Sequence, residues 1–187
     1  MPTVLLVSSC GWRSIPQAKN GVEAALAETT NQYKRRADLI PNLVKTVKGY
    51  AKHESETLQA VIEARSKAMQ TEIDPSNLDP QKLQQFQKAQ GSLGAALGRL
   101  MVVVEKYPDL KADRNFRELQ AQLEGTENRI AVSRQRYIES IKVFNNLVTV
   151  PPESWTNAVL YSYEKMPQWT VEDIEKKEIE KAPKLDF

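Results

Sequence analysis

The residues able to do chemistry are few and scattered. The chain holds one histidine, His53, and one cysteine, Cys10. His53 lies between Lys52 and Glu54, the setting of a solvated helix face, and no second His or nearby Cys could complete a metal site with it. Glu-x-x-His repeats of the kind that build di-iron bundles are absent, and Ser or Thr nucleophiles lack a His partner for a triad. Gly91, Gly94 and Gly98 fall inside an amphipathic pattern, where helix packing explains them better than a phosphate cradle or a hinge does. No catalytic residue, metal ligand or cofactor site is assigned, and an enzyme of unknown reaction is the least favoured reading. What remains is a pair of charged stretches, KRRADLIPN (34–42) and LEGTENR (123–129). Arg35, Arg36 and Asp38 read either as solvated charges beside a proline or as one side of a structural polar layer. In that layer an Arg crosses to Glu124 or Glu127, and Asn42 and Asn128 complete it. Thr126 and Ser133 interrupt an apolar stripe at that level and leave room for it. Buried polar groups of this kind can fix the register between helices.

The elements that must hold these residues are helices. Gly is scarce, at 7 of 187 residues, and Ala, Glu, Lys, Leu, Gln and Arg are plentiful, which favours an all-α fold. From about Gln17 apolar or small residues recur at Leu26, Tyr33, Ala37, Ile40, Val44, Val47, Ala51, Leu58 and Val61, in steps of three and four. This predicts a rod running to about Met69, kinked at Pro41. EIDPSNLDP (72–80) reads as a loop, with Asp79 and Pro80 opening a second helix that carries Leu83, Phe86, Leu93, Leu97, Leu100 and Val104 inward. Pro108 ends it. A third helix runs from Asp113 or Arg114 to about Val148, with the stripe Phe116, Leu119, Leu123, Thr126, Ile130, Ser133, Tyr137, Ile141, Phe144 and Val148. Pro151 and Pro152 stop it, and a short helix follows within 154–166. Three long stripes must bury one another, so the predicted architecture is an antiparallel up-down bundle of three long helices plus a short C-terminal one.

Other partners leave weaker marks. A net charge of +2, from 26 basic and 24 acidic residues, gives no basic footprint for nucleic acid. A groove beside Gly91, Gly94 and Gly98 could admit a partner helix. Trp155, Tyr161, Tyr163 and Trp169 lie beyond the three stripes, either as an interaction surface at a lipid or protein partner or as a cap on the open end of the bundle, the favoured alternative.

Two long motifs carry a family resemblance. QYKRRADLIPNLVKTVKGYAKHESETL (32–58) and SLGAALGRLMVVVEKYPDLKADRNFRELQAQLEGTENRIAVSRQRY (92–137) resemble the signatures of the bacterial LemA family, as do the closing TVED and APKLDF. The likeness covers nearly everything from Gln17 to Phe187. It implies an antiparallel bundle on a long N-terminal helix, anchored at the membrane, with a poorly defined activity. Where the family usually carries a stretch like FPxNLIAxxFGF, this chain has VPPESWTNAVLYSYEKM, so the contacts of that segment are expected to differ. Some members are lipoproteins, and Val7-Ser8-Ser9-Cys10 resembles their lipobox, which makes Cys10 the candidate lipidation site. Only Thr3 to Val7 supply an apolar core, and no Lys or Arg precedes Cys10. Either the signal peptide begins upstream of Met1 or Cys10 is an ordinary residue of a frayed terminus. The favoured division is a signal remnant and tether (1–16), a LemA-like bundle (17–166) and a charged, mobile tail (167–187). The resemblance implies a lipid-anchored protein of the cell envelope, facing the periplasm or the exterior, with the membrane and other envelope proteins as partners, and the lack of a catalytic constellation points to a non-enzymatic scaffold or interaction module.

Overall fold

The stripes of the sequence become helices that bury most of the residues they were expected to bury, while Leu97, Leu119 and Leu123 stay half-buried. The computed structural model describes residues 12–76 and 78–169. Helix α1 spans Ser14–Tyr50, α2 Ser55–Gln70, α3 Pro80–Val104, the short α4 Pro108–Ala112 and α5 Arg114–Thr149. A last turn, α6 (Glu153–Thr156), leads into a π-helical turn, Asn157–Tyr161. The described residues contain no strand, and none of their helices is long and apolar enough to cross a membrane. The all-α antiparallel bundle predicted from the sequence is the fold observed.

The N-terminal rod differs in one respect. α1 runs unbroken through Pro41 for 37 residues, and the chain turns at Ala51–Glu54 instead. The second half of the expected rod, α2, folds back along α1. The main body is therefore four helices, with α1 packed along α5 and α2 along both α1 and α3. The reason lies one turn before the proline. Pro41 has no N–H, so the carbonyl of Ala37 loses its helical donor. Arg65 of α2 supplies the replacement, its Nε–H donating to Ala37 O at 2.7 Å. The proline thus leaves an acceptor on α1 that a returning helix can use, and the helix survives.

Asp79 caps α3 by accepting from the Gln81 N–H at 2.8 Å, and Asp113 caps α5 by accepting from the Phe116 N–H at 2.8 Å. The latter bond, with a donor bond from the Tyr50 hydroxyl at 3.0 Å, holds the Asp113 carboxyl below its usual range. Tyr107 ties the same end together by donating to Glu54 at 3.1 Å.

The core has two levels. Around Ile40, Leu43, Val47, Val61, Leu93, Leu100 and Phe116 all four helices contribute. Towards the start of α1 the other two helices run out, and Ile15, Val22, Leu26, Tyr137, Ile141, Phe144 and Val148 of α1 and α5 form their own cluster. Ile73 and Leu78 of the loop and the C-terminal segment cover that pair. Ser162, left-handed at φ 52°, follows the π-helical turn where the chain comes back along α5.

Arg65→Met is expected to cost about 2 kcal/mol, the worth of a charged hydrogen bond to an otherwise unpaired buried carbonyl. In a Pro41→Ala background, where residue 41 again donates to Ala37, the same change is expected to cost less than half as much. A double-mutant cycle by urea denaturation measures the coupling; equal costs in both backgrounds would refute it.

Candidate functional site

Arg36 is the buried charge about which the middle of the bundle is organised. Its position on α1, between Tyr33 and Ile40, puts it on the inward stripe, and it is only 4% exposed. A guanidinium so placed must find acceptors, since burial without them costs several kcal/mol. One NH group donates to Glu127 Oε2 of α5 at 2.9 Å. The other donates to Gln90 of α3 twice, to the backbone carbonyl at 3.1 Å and to Oε1 at 3.0 Å. Gln90 in turn donates to Ala68 O near the end of α2 at 3.3 Å. One polar chain therefore joins all four helices. Glu127 is itself 57% exposed, so water screens the ion pair, and the bonds to Gln90 matter more to the network.

The other members of the expected layer fall elsewhere. Arg35, Asp38 and Asn42 are exposed on α1, and Glu124 and Asn128 are exposed on α5. Each lies off the inward stripe of its helix. Asn42 lines an open polar pocket of about 530 Å³ with Lys45, Tyr50, Asp113 and Glu118. Thr126 and Ser133, which did mark the level, bond their own helix at Gln122 O (2.7 Å) and Ile130 O (3.0 Å). Gln90 was missed. Its signal is a polar residue in the α3 stripe, in phase between Phe86 and Leu93.

Beside Arg36 the bundle opens. α3 and α5 stand apart, and a groove of about 330 Å³ runs between them over Arg36, lined by Gly94, Leu97, Gly98, Met101, Leu123 and Glu124. A Cβ at Gly94 or Gly98 would meet nothing within 4 Å. The expectation that helix packing explains the glycines is therefore corrected at Gly94 and Gly98, which line an open groove.

One turn below, the same groove is filled. Trp169 stacks on Tyr33 with ring centroids 6.3 Å apart, meets Phe86 and Tyr137 edge-on at 6.5 and 6.0 Å, and lies 5.7 Å from the Arg134 guanidinium. Burial pushes the Tyr33 and Tyr137 hydroxyls above their usual range, while Arg134 pulls Tyr33 the other way. The segment leading to Trp169 is held by two asparagines that imitate a neighbouring backbone. Asn145 donates to Met166 O at 3.1 Å and accepts from Met166 N at 2.9 Å. Asn157 does the same for Tyr163, at 2.9 and 3.0 Å. Tyr161 and Tyr163 stack on each other at 5.4 Å. Of the four aromatics read either as an interaction surface or, by preference, as a cap on the bundle, Trp155 alone projects freely; the others pack because α1 and α5 need cover beyond the reach of α2 and α3.

The end of the molecule where α1 begins has a different character. Trp12, Val150, Trp155, Val159 and Leu160 are all exposed there, and the Tyr161 hydroxyl donates to Trp12 O at 2.6 Å, which joins the two ends of the described chain. Cys10 and the part of the expected tail beyond Trp169 lie outside the described residues. His53 is exposed in the turn between α1 and α2, and among the described residues no group of three or more His, Cys, Asp or Glu could hold a metal ion.

Arg36→Ala is expected to lower stability by about 2 kcal/mol and Gln90→Ala by about 1 kcal/mol. Asn128→Ala and Lys48→Ala should stay within about 0.5 kcal/mol of the parent, as surface changes do. Chemical denaturation decides it, and an Asn128→Ala cost equal to that of Arg36→Ala would remove the special role of the crossing.

Comparison with known proteins bears on the whole of this body. Residues 25–187 match the model of the LemA family. Protein LemA of Metamycoplasma hominis is 24% identical over 164 residues, 88% of this chain and 68% of that protein. Magnetosome protein MamQ of Magnetospirillum gryphiswaldense is 36% identical over 64 residues, 34% of this chain, and Magnetosome protein MamQ 2 of Paramagnetospirillum magneticum 38% over 64 residues. In both magnetosome proteins the match spans 24% of the relative's length. With the match running from within α1 to the last residue, and with the four-helix body just described, the chain belongs to the LemA family.

Proposed function

We propose that this chain is a non-enzymatic scaffold or interaction module held at a membrane by lipid on Cys10, facing the periplasm or the cell exterior. The observation that carries the reading is the apolar end. Val159 is 81% exposed, Trp12 69% and Trp155 68%, and they gather where the chain comes in from Cys10. Tryptophan suits the boundary between lipid tails and headgroups, where its ring is buried and its N–H stays wet. A diacylated or triacylated Cys10 carries chains enough for stable anchoring, and the apolar end gives the body a second contact with the same surface. The rest of the body then stands away from the surface as a stiff rod about 55 Å long at 1.5 Å per residue of α1.

The perturbed groups support a structural role. Asp113 is a helix cap, Lys19 is paired with Glu23 at 2.8 Å, and Tyr33 and Tyr137 are core residues. The stretch of 64 residues shared with proteins named for the magnetosome supports a module used in more than one setting, with other envelope proteins as its partners. The alternative of a peptide-binding adaptor built on the C-terminal aromatics is weakened by the packing of Tyr161, Tyr163 and Trp169 into the bundle.

Two measurements test the reading. Mass spectrometry of the chain extracted from membranes is expected to find a mature N-terminus at acylated Cys10; an unmodified Cys10 inside a longer chain would overturn lipidation. Separately, the unlipidated Cys10→Ser chain is expected to show a blue-shifted tryptophan emission with phosphatidylcholine vesicles, reduced by Trp155→Ser with Val159→Asp. No change with vesicles would overturn the apolar end as a membrane contact.

A further inference from the structure

A concave surface of another kind lies at the far end of the rod from Trp12 and Trp155. It is the pocket of about 530 Å³ between α1 and α5, and helical spacing sets its walls. On α1, Asn42, Lys45, Thr46 and Tyr50 share one face, at positions i, i+3, i+4 and i+8. On α5, Asn115, Glu118, Leu119 and Gln122 share another, at i, i+3, i+4 and i+7. From Asn42 to Tyr50 the wall is about 12 Å long at 1.5 Å per residue.

Three features separate this pocket from an ordinary furrow between helices. It is bridged at one end, where the Tyr50 hydroxyl of α1 donates to Asp113 Oδ2 at the start of α5, at 3.0 Å. That bond also holds the Tyr50 ring, 44% exposed, as a standing wall. Next, the side chains of Asn42, Lys45, Asn115 and Gln122 make no hydrogen bond or ion pair among the described residues. Exposed glutamines elsewhere are tied to a helical neighbour, Gln59 to Glu63 at 3.1 Å and Gln120 to Glu124 at 3.0 Å. Finally, the charges nearly cancel. Lys45 stands against Asp113 and Glu118, and Arg114 already takes one oxygen of Glu118 at 3.0 Å.

These features narrow the ligand. An apolar molecule would find only Leu119 and the face of Tyr50. A phosphate would meet two carboxylates, and the N-terminus of α5 is already capped by Asp113. A peptide would need apolar recesses for its side chains, which this lining lacks. A neutral molecule rich in hydroxyls meets none of these obstacles. Each amide side chain presents a carbonyl beside an N–H, a pair that matches two neighbouring hydroxyls, since every hydroxyl both donates and accepts. The C–H face of a sugar ring suits an aromatic wall, which is apolar in its body and polar only at its tip.

We infer that the pocket binds a neutral saccharide, its hydroxyls held by Asn42, Asn115 and Gln122 and one ring face set against Tyr50 and Leu119. Lys45 lies about 45 Å along α1 from Ser14, so the site works without the membrane contact proposed above and the two readings fail separately.

The test uses the full chain with Cys10→Ser, in solution without lipid. Maltotriose and chitotriose are titrated separately while backbone amide signals are followed. Shifts confined to 42–50 and 113–122 are expected with at least one of them. Asn115→Ala and Gln122→Ala, both at exposed positions, are each expected to weaken that binding about fivefold, the worth of one hydrogen bond. Lys67→Ala on α2 is expected to leave it unchanged. Silence of these amides with both sugars up to about 20 mM, where a site of millimolar affinity is nearly full, would overturn the proposal. So would affinity unaltered by the two α5 substitutions. Shifts in the pocket with triglycine or inorganic phosphate, and none with either sugar, would overturn it in favour of a peptide or an anion.

Discussion

A guanidinium buried at the centre of a helical bundle cannot be left to chance, and the arrangement of this protein depends on where Arg36 finds its acceptors. Glu127 comes from α5, Gln90 from α3, and through Gln90 the carbonyl of Ala68 from α2. Apolar stripes alone would let neighbouring helices slide by a turn at small cost, since one leucine fits against another almost anywhere along a seam. A slide by one turn here would strand Arg36 without partners in a low-dielectric interior. The apolar stripes supply the driving force of assembly, and the crossing selects one register among those the stripes would tolerate.

The next residue adds a second constraint of the same kind. Ala37 presents the carbonyl that Pro41 cannot serve, and Arg65 meets it. Adjacent residues of α1 thus specify the placement of three other helices: Arg36 locates α3 and α5, and Ala37 locates α2. A proline in a helix is ordinarily a defect of about 3 kcal/mol. Placed one turn after a residue whose carbonyl faces a neighbouring helix, it becomes an addressable acceptor.

Much of this was legible in the sequence, and the boundary between legible and illegible has a physical form. The inward residues of α1, α3 and α5 were readable because a period of three and four residues is a property of one helix. The level of the polar crossing was readable too, from Arg36, Glu127 and the interruptions at Thr126 and Ser133. What failed was the assignment of Asn42, Asn128, Arg35, Asp38 and Glu124, which share the neighbourhood in sequence but sit a quarter to a half turn away from the stripe. Gln90 went unread although it stood in phase, because a lone glutamine in an apolar row looks like noise until its partner is known. The fold-back of α2 was hidden for a different reason. The same apolar spacing continues from Val47 through Ala51 to Leu58, so periodicity could not tell a rod from a hairpin; only the need of Ala37 for a donor could.

The C-terminal segment answers a problem that arises whenever helices of unequal length share a bundle. α1 and α5 outrun α2 and α3, and a pair of helices cannot cover both inward stripes. A third helix would meet the need but would require a reversal and some further turns of chain. An extended strap meets it with fewer residues, on one condition: its backbone donors and acceptors, unlike those of a helix, must be satisfied from outside. Asn145 and Asn157 satisfy them, each with a carbonyl oxygen and an amide nitrogen spaced to match one residue of backbone. The aromatic side chains are then free to act as cover, with Tyr163 against Phe144 and Trp169 between Tyr33, Phe86 and Tyr137. The aromatics that the sequence shows as a loose group are thereby divided by geometry. Those after Asn157 close the side of the rod, and Trp155, before it, is left at the end of the rod with Val159 and Leu160.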